Sequence, residues 1–216
     1  LTLITVERKV LEKNDVVAND IRLKLKAHNI FSFNLLSSPG SGKTSLVERT
    51  IAHLKEKISI GVIEGDVQTD LDAQRIDLLG VPVAQIVTNG GCHLDAGLVR
   101  DALTKIDYAQ LQILIIENVG NLVCPAGFDL GEETKVVLLS TTEGDDKPLK
   151  YPAMFRNASV LIINKIDLLP YVNCSVQKIK ENALAINPDL KIFETSCTTD
   201  AGIPDWCNWI LAQANQ

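Results

Sequence analysis

The chain has 216 residues, 46% hydrophobic and 22% charged, with a net charge of −6 and a pI near 5.1. That length buries a core without disulfide staples, and the acidic balance argues against binding the phosphate backbone of a nucleic acid. The start, LTLITVERKVLEKND, meets charge at Glu7, Arg8 and Lys9 before a signal-peptide core can form. No apolar run reaches membrane-spanning length; LQILII (111–116) is strand-sized. Five cysteines, an odd and scattered set, point to reduced thiols in a cytoplasm rather than a disulfide framework. The sequence opens without an initiator Met and reads as trimmed.

Residues 15–28 are expected to form a leading helix outside the alternation that follows. Apolar, β-branched runs at about 31–37, 58–64, 83–88, 111–117, 134–141, 158–164 and 191–195 are expected to be strands. Several are continuous, as strands covered on both faces should be. Helical spacing fills the gaps: KTSLVERTIAHLKEK, TDLDAQRIDLLG stopped by Gly80, LDAGLVRDALTKI, SVQKIKENALAI and IPDWCNWILAQA. This alternation predicts one α/β domain over 1–216, a doubly wound, mostly parallel sheet of about seven strands with helices on both faces.

SSPGSGKTS (37–45) follows the first strand and opens a helix, the context a P-loop requires. Gly40 and Gly42 let backbone N–H groups turn inward without a side-chain clash, at the positive end of a helix. The nucleotide-binding loop is therefore assigned to Gly40, Ser41, Gly42, Lys43, Thr44 and Ser45. Lys43 would reach the β- and γ-phosphates, and the Thr44 hydroxyl would bind Mg²⁺. The strict motif begins with glycine; here Ser37 stands in that place.

LIINKID (161–167) places Asn-Lys-x-Asp at a strand end. Asp167 could accept from guanine N1–H and the N2 amino group, a pairing adenine cannot offer; Lys165 would lie over the base and Asn164 brace the loop. TSCTTDAG (195–202) ends the next strand, where the amides of Ser196 and Cys197 could meet the guanine oxygen. ILIIENVGN (113–121) ends in Glu117, the expected place for a magnesium acid, and Gly120 could present its N–H to the γ-phosphate. EGDVQTDLD (64–72) supplies Asp66 and Asp72: one would complete the magnesium shell and the other orient the attacking water.

TNGGCHLDAG (88–97) sets Cys92 beside His93, and NLVCPAG places Cys124 just past the Glu117 strand. In a parallel sheet both connections leave the same carboxyl edge. Spacing alone leaves two readings open: a soft-metal site, or small buried cysteines beside a helix-start histidine.

The blocks NLLSSPGSGKTSL, EGDVQTDLDAQRI, TNGGCHLDAGLV, IIENVGNLVCPAGFDLGE, GDDKPLKYPAMF and INKIDLLP, in this order, resemble the hydrogenase nickel-incorporation GTPases, the HypB family. The resemblance runs from about residue 5 to the C-terminus. It implies a GTP-hydrolysing, dimerising protein of the SIMIBI class that delivers nickel during [NiFe]-hydrogenase maturation. The implied partners are a second copy of the chain, the hydrogenase large subunit and other maturation proteins; the implied ligands are GTP or GDP, Mg²⁺ and Ni²⁺ or Zn²⁺. The family's G-domain metal site maps onto Cys92, His93 and Cys124. The N-terminal Cys-x-x-Cys-Gly-Cys or His-rich stretch of many members is absent from this sequence.

Two rival readings are a urease-accessory-type nickel GTPase, which would carry Cys-Pro-His, and a metal-binding scaffold without turnover, which intact Lys43, Thr44, Glu117 and Asp167 oppose. The segment GDDKPLKYP (144–152) reads as a proline-bounded loop on the nucleotide edge. For Lys150, ahead of Lys147, two readings stay open: it reaches the partner subunit's nucleotide, or it is a solvated loop lysine.

Overall fold

A computed structural model describes the backbone of residues 6–216 and the side chains of residues 10–216. Residues 1–5, the opening of the stretch read as lacking a signal-peptide core, lie outside the described residues. The elements are α1 (Val6–Ala27), β1 (Phe31–Ser37), α2 (Lys43–Leu54), β2 (Ile60–Asp66), α3 (Leu71–Asp77), β3 (Val83–Val87), α4 (Ala96–Leu103) and β4 (Ile113–Glu117). There follow β5 (Thr134–Ser140), α5 (Lys147–Lys150), α6 (Pro152–Arg156), β6 (Val160–Asn164), α7 (Val176–Ile186), β7 (Lys191–Glu194) and α8 (Ile203–Ala214). Short 3₁₀ turns occupy Cys124–Gly127, Thr141–Glu143 and Ile166–Tyr171, among others.

The strands lie in the order β3-β2-β4-β1-β5-β6-β7, and every adjacent pair is parallel. The expected mostly parallel sheet of about seven strands is a wholly parallel one of seven. The continuous apolar runs have the expected cause. All seven residues of β1 and all five of β4 and β6 are buried, because helices cover both faces.

Successive side chains point to opposite faces. Phe31, Phe33 and Leu35 join Leu46, Val47 and Ile51 of α2 and Trp206 and Ile210 of α8. Each such burial is worth roughly 1.5–3 kcal/mol. The Trp206 indole N–H is not stranded there: it donates to Thr50 Oγ1 at 3.0 Å. On the other face α1 and α4 cover one end of the sheet, and α6 and α7 cover the other. Among the described residues no helix is long and apolar enough to cross a membrane.

Two expectations need correction. The leading helix begins at Val6, not near 15, and ends at Ala27. Its buried stripe runs Asn14, Ala18, Ile21, Leu25 at helical spacing, but the polar Asn14 in a core position hides the period. The segment 144–152 is not an open loop: α5 occupies Lys147–Lys150, and α6 starts at Pro152. Pro148 and Pro152 sit in first turns, where a missing N–H costs nothing.

Candidate functional site

Parallel pairing delivers Ser37, Asp66, Glu117, Ser140 and Asn164, the last residues of five strands, to one edge of the sheet. Ligands bind at this edge in doubly wound sheets. Here it holds a cleft of about 330 Å³, whose lining includes Gly40, Lys43, Thr44, Glu64, Asp72 and Lys165.

The loop from β1 to α2 is shaped by its glycines. Gly42 has φ +98°, and a Cβ there would lie 2.7 Å from Asn164 Nδ2, so conformation and space both require glycine. Asn164 Nδ2 donates to Ser41 O at 3.0 Å, which is the bracing expected of this residue. The Lys165 ammonium donates to Gly40 O at 2.7 Å. Lys43 Nζ donates to Ser37 Oγ at 3.1 Å, so the serine that departs from the strict motif is a partner of the loop lysine. Ser41 Oγ lies 2.8 Å from Glu143 Oε1, a loop-bracing acid that motif reading passed over. Gly120 comes so close to the loop that a Cβ would sit 3.0 Å from Pro39 backbone atoms.

Thr44 Oγ1 donates to Glu117 Oε1 at 2.7 Å, joining the helix start to the end of β4. Directly across the register from Glu117 lies Glu64, 2% exposed and absent from the sequence-derived site. Its signal was an acid interrupting the apolar run of β2 two residues before Asp66. Burial pushes Glu64 up to about 8, and the Glu117 charge adds to the rise. Burial likewise pushes Glu117 up to about 7, against the pull of the Lys43 ammonium and the Thr44 hydroxyl. Glu64 Oε2 and Glu117 Oε2 are buried without a hydrogen-bond partner.

Carboxylate oxygens of Glu64, Asp66 and Asp72 lie within 4.8 Å of one another. Hydroxyl and carboxylate oxygens suit a hard cation such as Mg²⁺, and clustered acids, Glu64 buried and Asp66 and Asp72 partly exposed, are what such a cation neutralises. Burial opposes ionisation of Asp66, but the amides of Thr69 and Gln68, both 2.8 Å from Oδ1, hold its carboxyl below the usual range. Asp72 accepts from Arg75 Nη1 at 2.9 Å, while Arg75 Nη2 pairs with Glu48 at 2.6 Å.

Asp167 stands in the 3₁₀ turn after β6, partly exposed, with the chain reversed at Lys165 by φ +62°. Cys197 Sγ lies 3.6 Å from Asn164 Oδ1, which places the TSCTTDAG loop beside the Asn-Lys-x-Asp loop. The Ser196 amide donates to Ala201 O at 2.9 Å, so in this conformation it serves its own loop and is not free for a base. Lys150 lies on α5, exposed, paired with Asp146 at 2.6 Å and outside the cleft lining.

The ligand atoms of Cys92, His93 and Cys124 lie within 4.8 Å of one another. Cys92 Sγ is 3.4 Å from His93 Nδ1, and the His93 ring packs on Phe128 with centroids 4.1 Å apart. Asn121 Oδ1 accepts from the Val123 and Cys124 amides and sets the start of the 3₁₀ turn that carries the thiol. The Cys124 contact, then burial, holds the Cys92 thiol above its usual range, and burial lowers His93, favouring the neutral imidazole. Two sulfurs and one imidazole suit Zn²⁺ or Ni²⁺ and leave a shell open. All five cysteines are free; Cys174 and Cys207 pack in separate apolar clusters away from this group.

Residues 32–194 match the family described as CobW/HypB/UreG, nucleotide-binding domain. The hydrogenase maturation factor HypB of Azotobacter vinelandii is 49% identical over 211 residues, spanning 98% of this chain and 70% of its own length. The crystal structure of HypB from Archaeoglobus fulgidus aligns with a TM-score of 0.89 at 39% identity, over 94% of this chain and 100% of that one. HypB from Helicobacter pylori, crystallised in complex with nickel, aligns with a TM-score of 0.88 at 39% identity, over 94% and 95% of the two chains.

Proposed function

Because the chain belongs to the HypB family of hydrogenase maturation factors, we propose that it is a GTP-hydrolysing nickel metallochaperone for [NiFe]-hydrogenase maturation. The observation that carries this reading is the sharing of one sheet edge by the phosphate cleft and the Cys92, His93, Cys124 cluster.

In the cleft, backbone N–H groups at the start of α2 and the Lys43 ammonium hold the β- and γ-phosphates. Thr44, Glu117 and Asp72 would hold Mg²⁺, which supplies charge neutralisation at the transferred phosphoryl group. Asp66 orients the attacking water, and Gly120 offers its N–H toward the γ-phosphate. Asp167 selects guanine, with Cys197 rather than Ser196 supplying the loop amide in this conformation.

Nickel is cargo. Three ligands per chain leave room for donors from a second copy across a two-fold axis, and the family's maturation proteins and hydrogenase large subunit are the partners this reading names. Lys150 reaches the partner's nucleotide after leaving Asp146; Lys150→Ala should weaken dimerisation by a GTP analogue while GDP affinity holds.

The test is metal stoichiometry on monomer and dimer fractions, with GDP and with a non-hydrolysable GTP analogue. Nickel bound at Cys92 and Cys124 with a nucleotide-dependent affinity is the expected result. Nickel binding indifferent to nucleotide and to dimerisation sinks the switch, and absence of GTP turnover sinks the enzyme.

A further inference from the structure

Leu94, next to the metal-cluster residue His93, is fully buried and touches both acid-bearing strand ends of the cleft. Its N–H donates to Asn118 Oδ1 at 3.1 Å, and Asn118 directly follows Glu117. Its side chain packs on Gly65, between Glu64 and Asp66; a Cβ built on Gly65 would lie 2.8 Å from the Leu94 methyl carbons.

Asn118 is itself anchored in a buried chain of polar contacts. Its amide donates to Leu35 O at 3.1 Å, and Nδ2 donates to Asn34 Oδ1 at 3.3 Å. Asn34 Nδ2 approaches Glu132 Oε1 at 3.4 Å, and Glu132 Oε2 accepts from Leu130 N at 2.6 Å. The far end of that chain lies two residues past Phe128, the ring on which His93 packs. The loop carrying Cys92 and His93 is thus tied at Leu94 to the residue after Glu117, and the loop carrying Cys124 starts at that residue and returns to it through Asn34 and Glu132.

We propose that Asn118 is the positioning residue through which the nucleotide state of the cleft sets the geometry of the metal cluster. The inference rests on the nickel-GTPase reading above. A shift of the β4 end when Glu117 engages a triphosphate and its cation carries Asn118 with it, since the two residues are consecutive. The Leu94 N–H must follow or lose a buried partner, and close packing against Gly65 denies it slack. Leu94 adjoins His93, so the displacement reaches the cluster within one residue.

The test uses the full chain with Ni²⁺ as the probe. Nickel affinity is measured with GDP and with a non-hydrolysable GTP analogue, and analogue affinity with and without nickel. With GDP affinity measured in the same two conditions, linkage requires the nickel-affinity ratio to equal the analogue's change divided by that of GDP. The wild-type ratio is expected to be about fivefold or more. Asn118→Ala should bring it near one while GDP and nickel affinities, measured singly, stay within a few-fold of wild type. Asn118→Asp, which keeps an acceptor for the Leu94 N–H, should retain part of it.

An unchanged ratio in Asn118→Ala overturns the relay. If that variant fails to fold or loses both affinities, Gly65→Ala reads the other arm: the ratio must shift, and an unshifted ratio overturns the proposal. A wild-type ratio of one, with GTP analogue and nickel both bound, overturns the nucleotide–metal link and the relay with it. A wild-type ratio above one that survives both variants overturns the relay alone.

Discussion

The phosphate cleft and the metal cluster share a sheet edge but are built in opposite ways. The cleft's buried acids sit in strands, Glu64 in β2 and Glu117 at the end of β4, each 2% exposed, and Thr44 of α2 holds Glu117. The candidate metal ligands sit on connections: Cys92 is exposed, and His93 and Cys124 are partly so. Buried, preorganised charge suits a transition state, whereas cargo must enter, bind and leave. Burial sets Glu64 and Glu117 in the cleft against ionisation before any ligand arrives.

The sharpest way to break that contrast is Lys43→Ala. Removing a preorganised cation from the cleft should lower GTP turnover by on the order of 10²–10³-fold, with nickel binding in the absence of nucleotide retained. Equal losses in both would mean the two regions are not separable.

The opposition of burial to ionisation is open to measurement through Glu64. Burial raises its pKa from the ordinary 4.5 to about 8, so the folded state holds a proton that the unfolded state releases between those values. Stability therefore falls as pH rises from about 4.5 to about 8, and the penalty is complete above that window. In nucleotide-free, chelator-treated protein, Glu64→Gln should be more stable than wild type by roughly 2–4 kcal/mol above pH 8. The gap should close near pH 5, and Mg²⁺ with nucleotide should reverse it. Denaturant unfolding at the two pH values checks this; a gap independent of pH sinks the burial argument.

On the metal side, Cys92→Ala or Cys124→Ala should each weaken nickel binding by more than the roughly 10–100-fold typical of losing an outer-shell partner. Cys174→Ala and Cys207→Ala should leave it intact. Lower pH should weaken binding, since the thiols must lose protons. Burial of His93 places the imidazole's part of that dependence below its ordinary 6.5. Equal metal loss across all five cysteine variants points to unfolding. The smallest effect is expected at the guanine loop. There Asp167→Asn should cost about 1–3 kcal/mol of GTP affinity, and wild-type binding of ATP as tight as GTP breaks the assignment.

Much of this was legible before folding because it depends on local pattern. Strand ends, helix starts and GSGKT are set by short-range chemistry, and β1 and α8 run over the residues that periodicity indicated. What escaped reading involved polar residues in buried places. Asn14 in the α1 stripe looked like surface, yet it donates to Asp129 O and accepts from Ala96 N. Glu64 looked like a strand terminus, and Asn118 like part of a loop. Each has its role only through a partner distant in sequence.

The sequence by itself determined the alternation of strands and helices, the glycine-rich loop after β1 and Cys92, His93 and Cys124 as candidate soft donors, because each is written in neighbouring residues. Only the tertiary structure decided that Cys124 stands beside Cys92 and His93, that Glu64 faces Glu117, and that Leu94 bridges the two regions. Strand order and register set those meetings, and both follow from how the helices cover two faces of one sheet rather than from any local run of residues.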